Sequence, residues 1–189
     1  MPDDLHDWLV KPYKLTKHLR HACQQHQLKV LQQESSVLSE SEIRSLQSDS
    51  NEAWVREIIH SLNGEPKVYA KVCVSMETYQ AYQYEFVNLA ENPIGETLLF
   101  HNPEVERAPF SFAKLTTEDH EYSAAVKQLG VQEELWARRS VFYWQDLPLL
   151  ITEIFSMQMP KFRALELGRD RNATLSNKLI DYAHLTRLH

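Results

Sequence analysis

The sequence predicts an α+β domain, built as an antiparallel β-sheet with helices grouped against it. Three observations carry the class. Apolar residues in the first third (Leu5, Trp8, Leu9, then Leu15, Leu19, Ala22) recur every three to four positions, which is a helical period. From Trp54 the pattern becomes that of strands: 54–59 and 68–74 flank Asn63-Gly64-Glu65-Pro66 and read as strand, turn, strand. Strands adjacent in sequence and joined by short turns pair antiparallel, leaving the helices to group against the sheet.

The elements follow in order. Residues 28–31 begin a strand, and 34–52, rich in Ser, Glu, Gln and Asp, read as a mobile surface segment. Residues 77–90 contain neither Gly nor Pro and carry Tyr79, Tyr82 and Phe86, so they read as a helix. Pro93-Ile94-Gly95 ends it, and 96–100 form a further short helical turn. A strand is expected over 108–115, a helix over 118–129, and a long hairpin from 136–144 and 147–157 around Gln145-Asp146. One domain is expected over 1–160. Residues 161–189 form a polar C-terminal extension, with Leu175, Leu179, Tyr182 and Leu185 at helical spacing.

Composition narrows the function. The chain has 189 residues, 43% of them hydrophobic, enough for one core. Apolar runs stay below the roughly 18 residues of a membrane span. Asp3 and Asp4 stand where a secretory signal has basic residues, and Cys23 and Cys73 show no paired spacing, as in a reduced compartment, so a cytoplasmic protein is expected. Net charge is −6 and no run of Lys and Arg is present, which argues against a nucleic-acid partner. With four glycines there is no phosphate-cradling loop or dinucleotide fingerprint, so nucleotide cofactors are not expected. A small anion would be repelled by the average surface and must rely on locally placed Arg, Lys or backbone N–H groups. His18, His21, Cys23 and His26 have some metal-ligand flavour, but on one helix only His18 and His21 come close, and an exposed helix face is the stronger reading.

Two charges stand out. Alternate residues of a strand share a face, which places Glu153 in a row with Leu149, Ile151, Phe155 and Met157, and Arg56 in a row with Trp54 and Ile58. An ion buried without a partner costs several kcal/mol, so both residues are expected to meet a counter-charge or a ligand. The economical reading is one enclosed polar pocket lined by both. A structural ion pair weighs equally, and Glu57, Arg138 and Arg139 are equally suitable partners by periodicity.

Four segments also carry a resemblance. They are Trp54-Val55-Arg56-Glu57-Ile58 with Gly64-Glu65-Pro66, Asn92-Pro93-Ile94-Gly95 leading into Leu98-Leu99-Phe100, Leu135-Trp136-Ala137-Arg138-Arg139-Ser140, and Leu147-Pro148-Leu149-Leu150-Ile151-Thr152-Glu153-Ile154-Phe155. In this order and spacing, over about residues 5–160, the chain resembles the chorismate pyruvate-lyase (4-hydroxybenzoate synthase) family.

The resemblance implies a cofactor-independent carbon–oxygen lyase that converts chorismate to 4-hydroxybenzoate and pyruvate at the start of ubiquinone ring formation. It implies an antiparallel β-sheet with helices packed on one side and helical flaps over an internal ligand site, no metal, and a small-molecule substrate and product. A monomer with no membrane span is expected, and an enclosed site that suits a planar aromatic acid is expected to be inhibited by its product. The family's arginine falls on Arg56 and its glutamate on Glu153. Its main-chain contacts to the aromatic acid fall on Ile94, where leucine is more usual, and on Leu15. The other reading is a non-catalytic aromatic-acid sensor, because the lyase fold resembles the effector-binding domains of some transcription regulators. Against it, Arg56 and Glu153 are both kept.

Overall fold

The computed structural model describes residues 3–11 and 14–164. The expected class is the one found: a seven-stranded, wholly antiparallel sheet with flanking helices. The chain opens with α1 (Asp3–Val10) and α2 (Leu15–His21), followed by β1 (His26–Val37), α3 (Glu40–Leu46), β2 (Glu52–Leu62) and β3 (Glu65–Ser75). Short helices α4 (Met76–Ala81) and α5 (Gln83–Val87) lead to a π-helical turn at Gly95–Leu99. The chain then forms β4 (Val105–Arg107), β5 (Ser111–Leu115), α6 (His120–Leu129), β6 (Leu135–Trp144) and β7 (Leu147–Phe155). Strand order is β1-β2-β3-β7-β6-β4, with β5 also pairing β6.

Local chemistry accounts for the turns. Asn63 and Gly64 both take positive φ (52° and 86°), as a two-residue hairpin with right-twisted strands requires. Gln145 and Asp146 do the same between β6 and β7 (47° and 70°).

The polar stretch 34–52, expected as a loop-like surface segment, forms the end of β1, α3 and the start of β2. Its start is the end of β1, an edge strand with one neighbour, whose pairing with β2 needs no apolar row. Its middle is α3, opened by a capping box in which Ser39 accepts from the Glu42 N–H while the Glu42 carboxylate accepts from the Ser39 N–H. The helix expected over 77–90 is two short helices, broken at Tyr82, whose φ of −123° lies outside the helical range. The tail with Leu175, Leu179, Tyr182 and Leu185 lies outside the described residues.

Helices cover both faces of the sheet rather than one. On the first face α1 and α2 pack Leu5, Trp8, Leu9, Leu15 and Leu19 against Leu62, Val68, Trp136 and Phe155. Beside them Phe86, Leu89, Ile94 and Leu99 pack on Trp54, Val72, Phe142, Leu149 and Ile151. On the second face α6 covers Ile59, Tyr69, Leu135 and Ile154, and α3 covers Val55, Cys73 and Leu150. Neighbouring residues of a strand point to opposite faces, so β2, β3, β6 and β7 are buried on both sides.

Candidate active site

Strand register builds the site. Across β2, β3, β7 and β6, one row on the first face reads Arg56, Val72, Ile151, Ser140, and the next reads Ile58, Ala70, Glu153, Arg138. Arg56 and Glu153 therefore share a face, in adjacent rows and with β3 between their strands.

Glu153 and Arg138 stand directly opposite on β7 and β6. The Arg138 Nε donates to the Glu153 carboxylate, and its Nη1 donates to the Trp8 carbonyl of α1 at 3.2 Å. Their side chains are 2% and 14% exposed, so this is a largely desolvated ion pair. Of the candidate partners named from periodicity, Arg138 is the one Glu153 meets. Arg139 points to the other face, where its Nε donates to Thr152 Oγ1 (3.0 Å) and its Nη2 to Glu121 (2.9 Å). Glu57 also lies on that face, on the same side of the sheet as Tyr69.

A cavity of about 20 Å³ opens at the ion pair. Its walls are Leu15, Phe100, Arg107, Phe110, Arg138, Ser140, Phe142, Ile151 and Glu153. Leu15 enters from the first residue of α2, and Phe100 from just after the π-helical turn. Two covering segments thus meet over the sheet. The Arg20 Nη1 donates to Glu96 at 2.8 Å, and Lys14 lies 5.8 Å from the Phe100 ring centroid, joining the segments at their rims. The space suits about one water molecule, so a bound aromatic acid requires the covering segments to shift outward.

Two of the four expected site residues, Leu15 and Glu153, line this cavity. Arg56 and Ile94 lie beside it. Arg56 is 1% exposed; its Nη1 donates to Gln33 Oε1 (2.9 Å) and its Nη2 to the Asn92 carbonyl (3.0 Å). Burial pushes its pKa down to about 10, with Glu91 working in the opposite direction. The Asn92 bond ties β2 to the segment that carries Ile94, which is itself buried against Trp54, Phe142 and Ile151.

Sequence reasoning missed Arg107, Phe100 and Phe110. Arg107 stacks on the Phe110 ring at 4.6 Å, and Arg138 approaches the same ring at 4.6 Å. Burial lowers the Arg107 pKa, Arg138 lowers it further, and Glu153 raises it. Arg107 lies one residue before the strand expected over 108–115 and ends the separate short strand β4. Arg107 pairs with Phe142, so it shares the face of Phe142, Ser140 and Arg138.

The histidines separate. His18 is buried; its ring stacks on Phe162 and its Nδ1 lies 3.1 Å from the Lys14 carbonyl. The His26 Nε2 pairs with the His60 Nδ1 at 2.9 Å. Among the described residues no group of three or more His, Cys, Asp or Glu is arranged to hold a metal ion. Among them, too, no helix is long and apolar enough to cross a membrane.

The fold is shared with effector domains of transcription regulators. The C-terminal domain of a histidine utilization repressor from Pseudomonas syringae pv. tomato aligns with TM-score 0.53 at 11% identity, over 76% of this chain and all of that domain. The effector domain of PhnF from Mycobacterium smegmatis aligns with TM-score 0.51 at 12% identity, over 76% of this chain and 88% of that one. At such identities the likeness speaks for the fold alone.

Sequence similarity goes further. A protein of Nitrosomonas europaea named "Probable chorismate pyruvate-lyase" is 32% identical over 167 residues, covering 87% of this chain and 91% of that protein. One of the same name from Aromatoleum aromaticum is 32% identical over 159 residues, covering 82% and 85%. Residues 1–163 match the family described as Chorismate lyase. With these matches, and a buried arginine–glutamate face on the sheet these strands build, the chain belongs to the chorismate lyase family.

Proposed function

We propose that the protein converts chorismate to 4-hydroxybenzoate and pyruvate without a cofactor, as a cytoplasmic monomer that supplies ubiquinone ring formation. The observation that carries this reading is Glu153, held by Arg138 at the floor of a largely apolar cavity with a second guanidinium, Arg107, on its wall.

The reaction breaks the C3–O bond of the ring and removes the proton on C4. The C4–H electron pair becomes the new ring double bond, the departing enolpyruvate takes up a proton and becomes pyruvate, and the ring becomes aromatic. Aromatisation drives the step, so the protein's task is to hold a flexible dianion in reactive geometry and favour departure of the enolpyruvate oxygen. Arg56 supplies fixed positive charge to substrate and leaving oxygen. The main-chain N–H groups of Leu15 and Ile94 receive the ring carboxylate. Glu153 faces the C4 end, where it accepts from the hydroxyl and orients the ring, or takes the C4 proton as a base. In a cyclic route the enolpyruvyl group takes that proton itself, and Glu153 only orients.

The experiment is incubation with chorismate in the presence of EDTA, following the ultraviolet absorbance of the aromatic product. Formation of 4-hydroxybenzoate and pyruvate in equal amounts is expected. The other reading is a non-catalytic aromatic-acid sensor of the same fold. Tight binding of 4-hydroxybenzoate with no turnover of chorismate would establish that reading instead.

A further inference from the structure

Arg107 differs from the other buried guanidiniums in what it meets. Arg138 is committed to Glu153 and to α1, Arg139 to Glu121 and Thr152, and Arg56 to Gln33 and Asn92. Among the described residues no carboxylate lies within ion-pair distance of Arg107. Its guanidinium instead lies against the flat face of Phe110 on the cavity wall. It is only partly exposed, so a lone cation is held there at a cost, and an anion entering the cavity would relieve it. The Glu153 charge cannot serve that purpose fully, because Arg138 already pairs with it.

The chemistry of the substrate says which anion. Resting on the lyase reading above, Glu153 marks the C4 end of the ring. C3, which bears the enolpyruvyl ether, is the neighbour of C4, whereas the ring carboxylate on C1 lies across the ring. A cation that lines the same cavity as Glu153 is placed for the group on C3. We propose that Arg107 is the binding residue for the enolpyruvyl carboxylate, and so the residue by which the site distinguishes its dianionic substrate from its monoanionic aromatic product. Phe110 keeps the guanidinium plane fixed, so that the fork is presented without the entropy cost of ordering a free side chain.

The test compares two ligands that differ in this carboxylate. Calorimetry on the full chain measures 4-hydroxybenzoate and 3-(1-carboxyvinyloxy)benzoate, a dianion that keeps the enolpyruvyl ether but is already aromatic and does not react. Arg107→Gln should weaken the dianion by about tenfold or more and raise the KM for chorismate comparably, while 4-hydroxybenzoate stays within about threefold. Arg107→Lys keeps the charge and loses the fork, and should fall between. Unchanged 4-hydroxybenzoate affinity also reports that the variant is folded. Equal loss of both ligands, or equal retention of both, overturns the assignment. If the wild-type chain binds the dianion through Arg107 yet does not turn chorismate over, the lyase reading falls and this one stands. If turnover is normal and Arg107→Gln leaves it untouched, the reverse holds.

Discussion

Glu153 and Arg138 face each other across the β6–β7 pair, and the carboxylate accepts from the Arg138 Nε with both side chains largely withdrawn from water. Removing one partner of such a pair leaves an uncompensated buried charge costing about 3–5 kcal/mol. Arg138→Met should therefore destabilise the protein by that order, and the Arg138→Met/Glu153→Gln double variant should recover part of the loss. Urea unfolding of the cycle measures the coupling, expected at about 1–3 kcal/mol. Strict additivity would show the pair to be energetically idle.

Arg56 and Glu153 should behave differently from that pair. They share a face, but Arg56 is held by Gln33 and by the Asn92 carbonyl, with β3 between its strand and that of Glu153. Their effects on stability should be additive within about 0.5 kcal/mol. Their effects on catalysis should both be large. If Arg56 supplies the fixed charge at the leaving group, as proposed, Arg56→Ala should lower turnover by about a hundredfold or more. Glu153→Gln should lower kcat more than binding if Glu153 is the base, and lower both together if it only orients the ring. Wild-type turnover in both variants would remove them from the site.

His60 gives the protein a pH signature. It is 2% exposed and stays neutral when folded: burial, with His26 and Arg20 nearby, pushes its pKa from 6.5 down to about 3. The unfolded chain takes up a proton below about pH 6.5 and the folded chain does not, so stability is intact above that pH and falls as pH drops toward 3. The loss from His60 should reach about 2 kcal/mol at pH 5. Burial shifts His18 and His26 in the same direction and adds to the slope. Unfolding free energies measured from pH 8 to 5 should fall steeply for the wild type and less for His60→Gln. Parallel slopes would mean that His60 is solvated in solution.

These relationships explain what was legible beforehand. The β2–β3 and β6–β7 hairpins were readable because their turn residues and apolar alternation agree, and the charge inside the β7 row marked Glu153. Its partner was not readable, because Arg138 and Arg139 are neighbours in sequence and either could face it until the register with β7 was known. Residues 34–52 misled because the composition of an edge strand and a surface helix is that of a loop. The Ser39–Glu42 capping box was the signal overlooked. Arg107 escaped because β4 has only three residues, too few to show a period. Phe100 reaches the cavity from just after a π-helical turn, where spacing in sequence says little about direction in space.

If the protein is the proposed lyase, the covering segments should govern release of its product. Arg20 on α2 donates to Glu96 on the π-helical turn, with side chains 52% and 24% exposed. An exposed pair of this kind contributes about 0.2–1 kcal/mol, so it biases closure without locking it. Slow release and inhibition by 4-hydroxybenzoate are expected of the enclosed site. Arg20→Ala or Glu96→Ala should accelerate product dissociation by no more than about fivefold, and moderate salt should do the same to the wild type. The charge-reversed pair Arg20→Glu/Glu96→Arg should restore slow release. Stopped-flow displacement of bound product reads all of these, and identical rates throughout would show that the clasp does not control opening.

Gly95 sits in a tight place in the covering segment that carries Phe100. It opens the π-helical turn, and a Cβ placed on it would lie 2.5 Å from Phe100 Cε2 and 2.7 Å from Cζ. Those atoms belong to the ring that lines the cavity, and real carbon contacts do not become so short, so Gly95→Ala must displace the Phe100 ring. The ring can turn because its far edge, not backbone, meets the new methyl. Phe142 stands 6.2 Å away between centroids and limits how far it turns. Overpacking of this kind costs about 1–3 kcal/mol. The displaced ring also changes the cavity wall, so Gly95→Ala should weaken 4-hydroxybenzoate binding several-fold. Gly95→Ala/Phe100→Leu, which trims the clashing ring edge, should recover most of the lost stability but not the full affinity, because the aromatic wall is gone. Thermal unfolding and calorimetry on the two variants separate the effects. Full recovery of binding in the double variant would mean that Phe100 only fills space and does not contact the ligand.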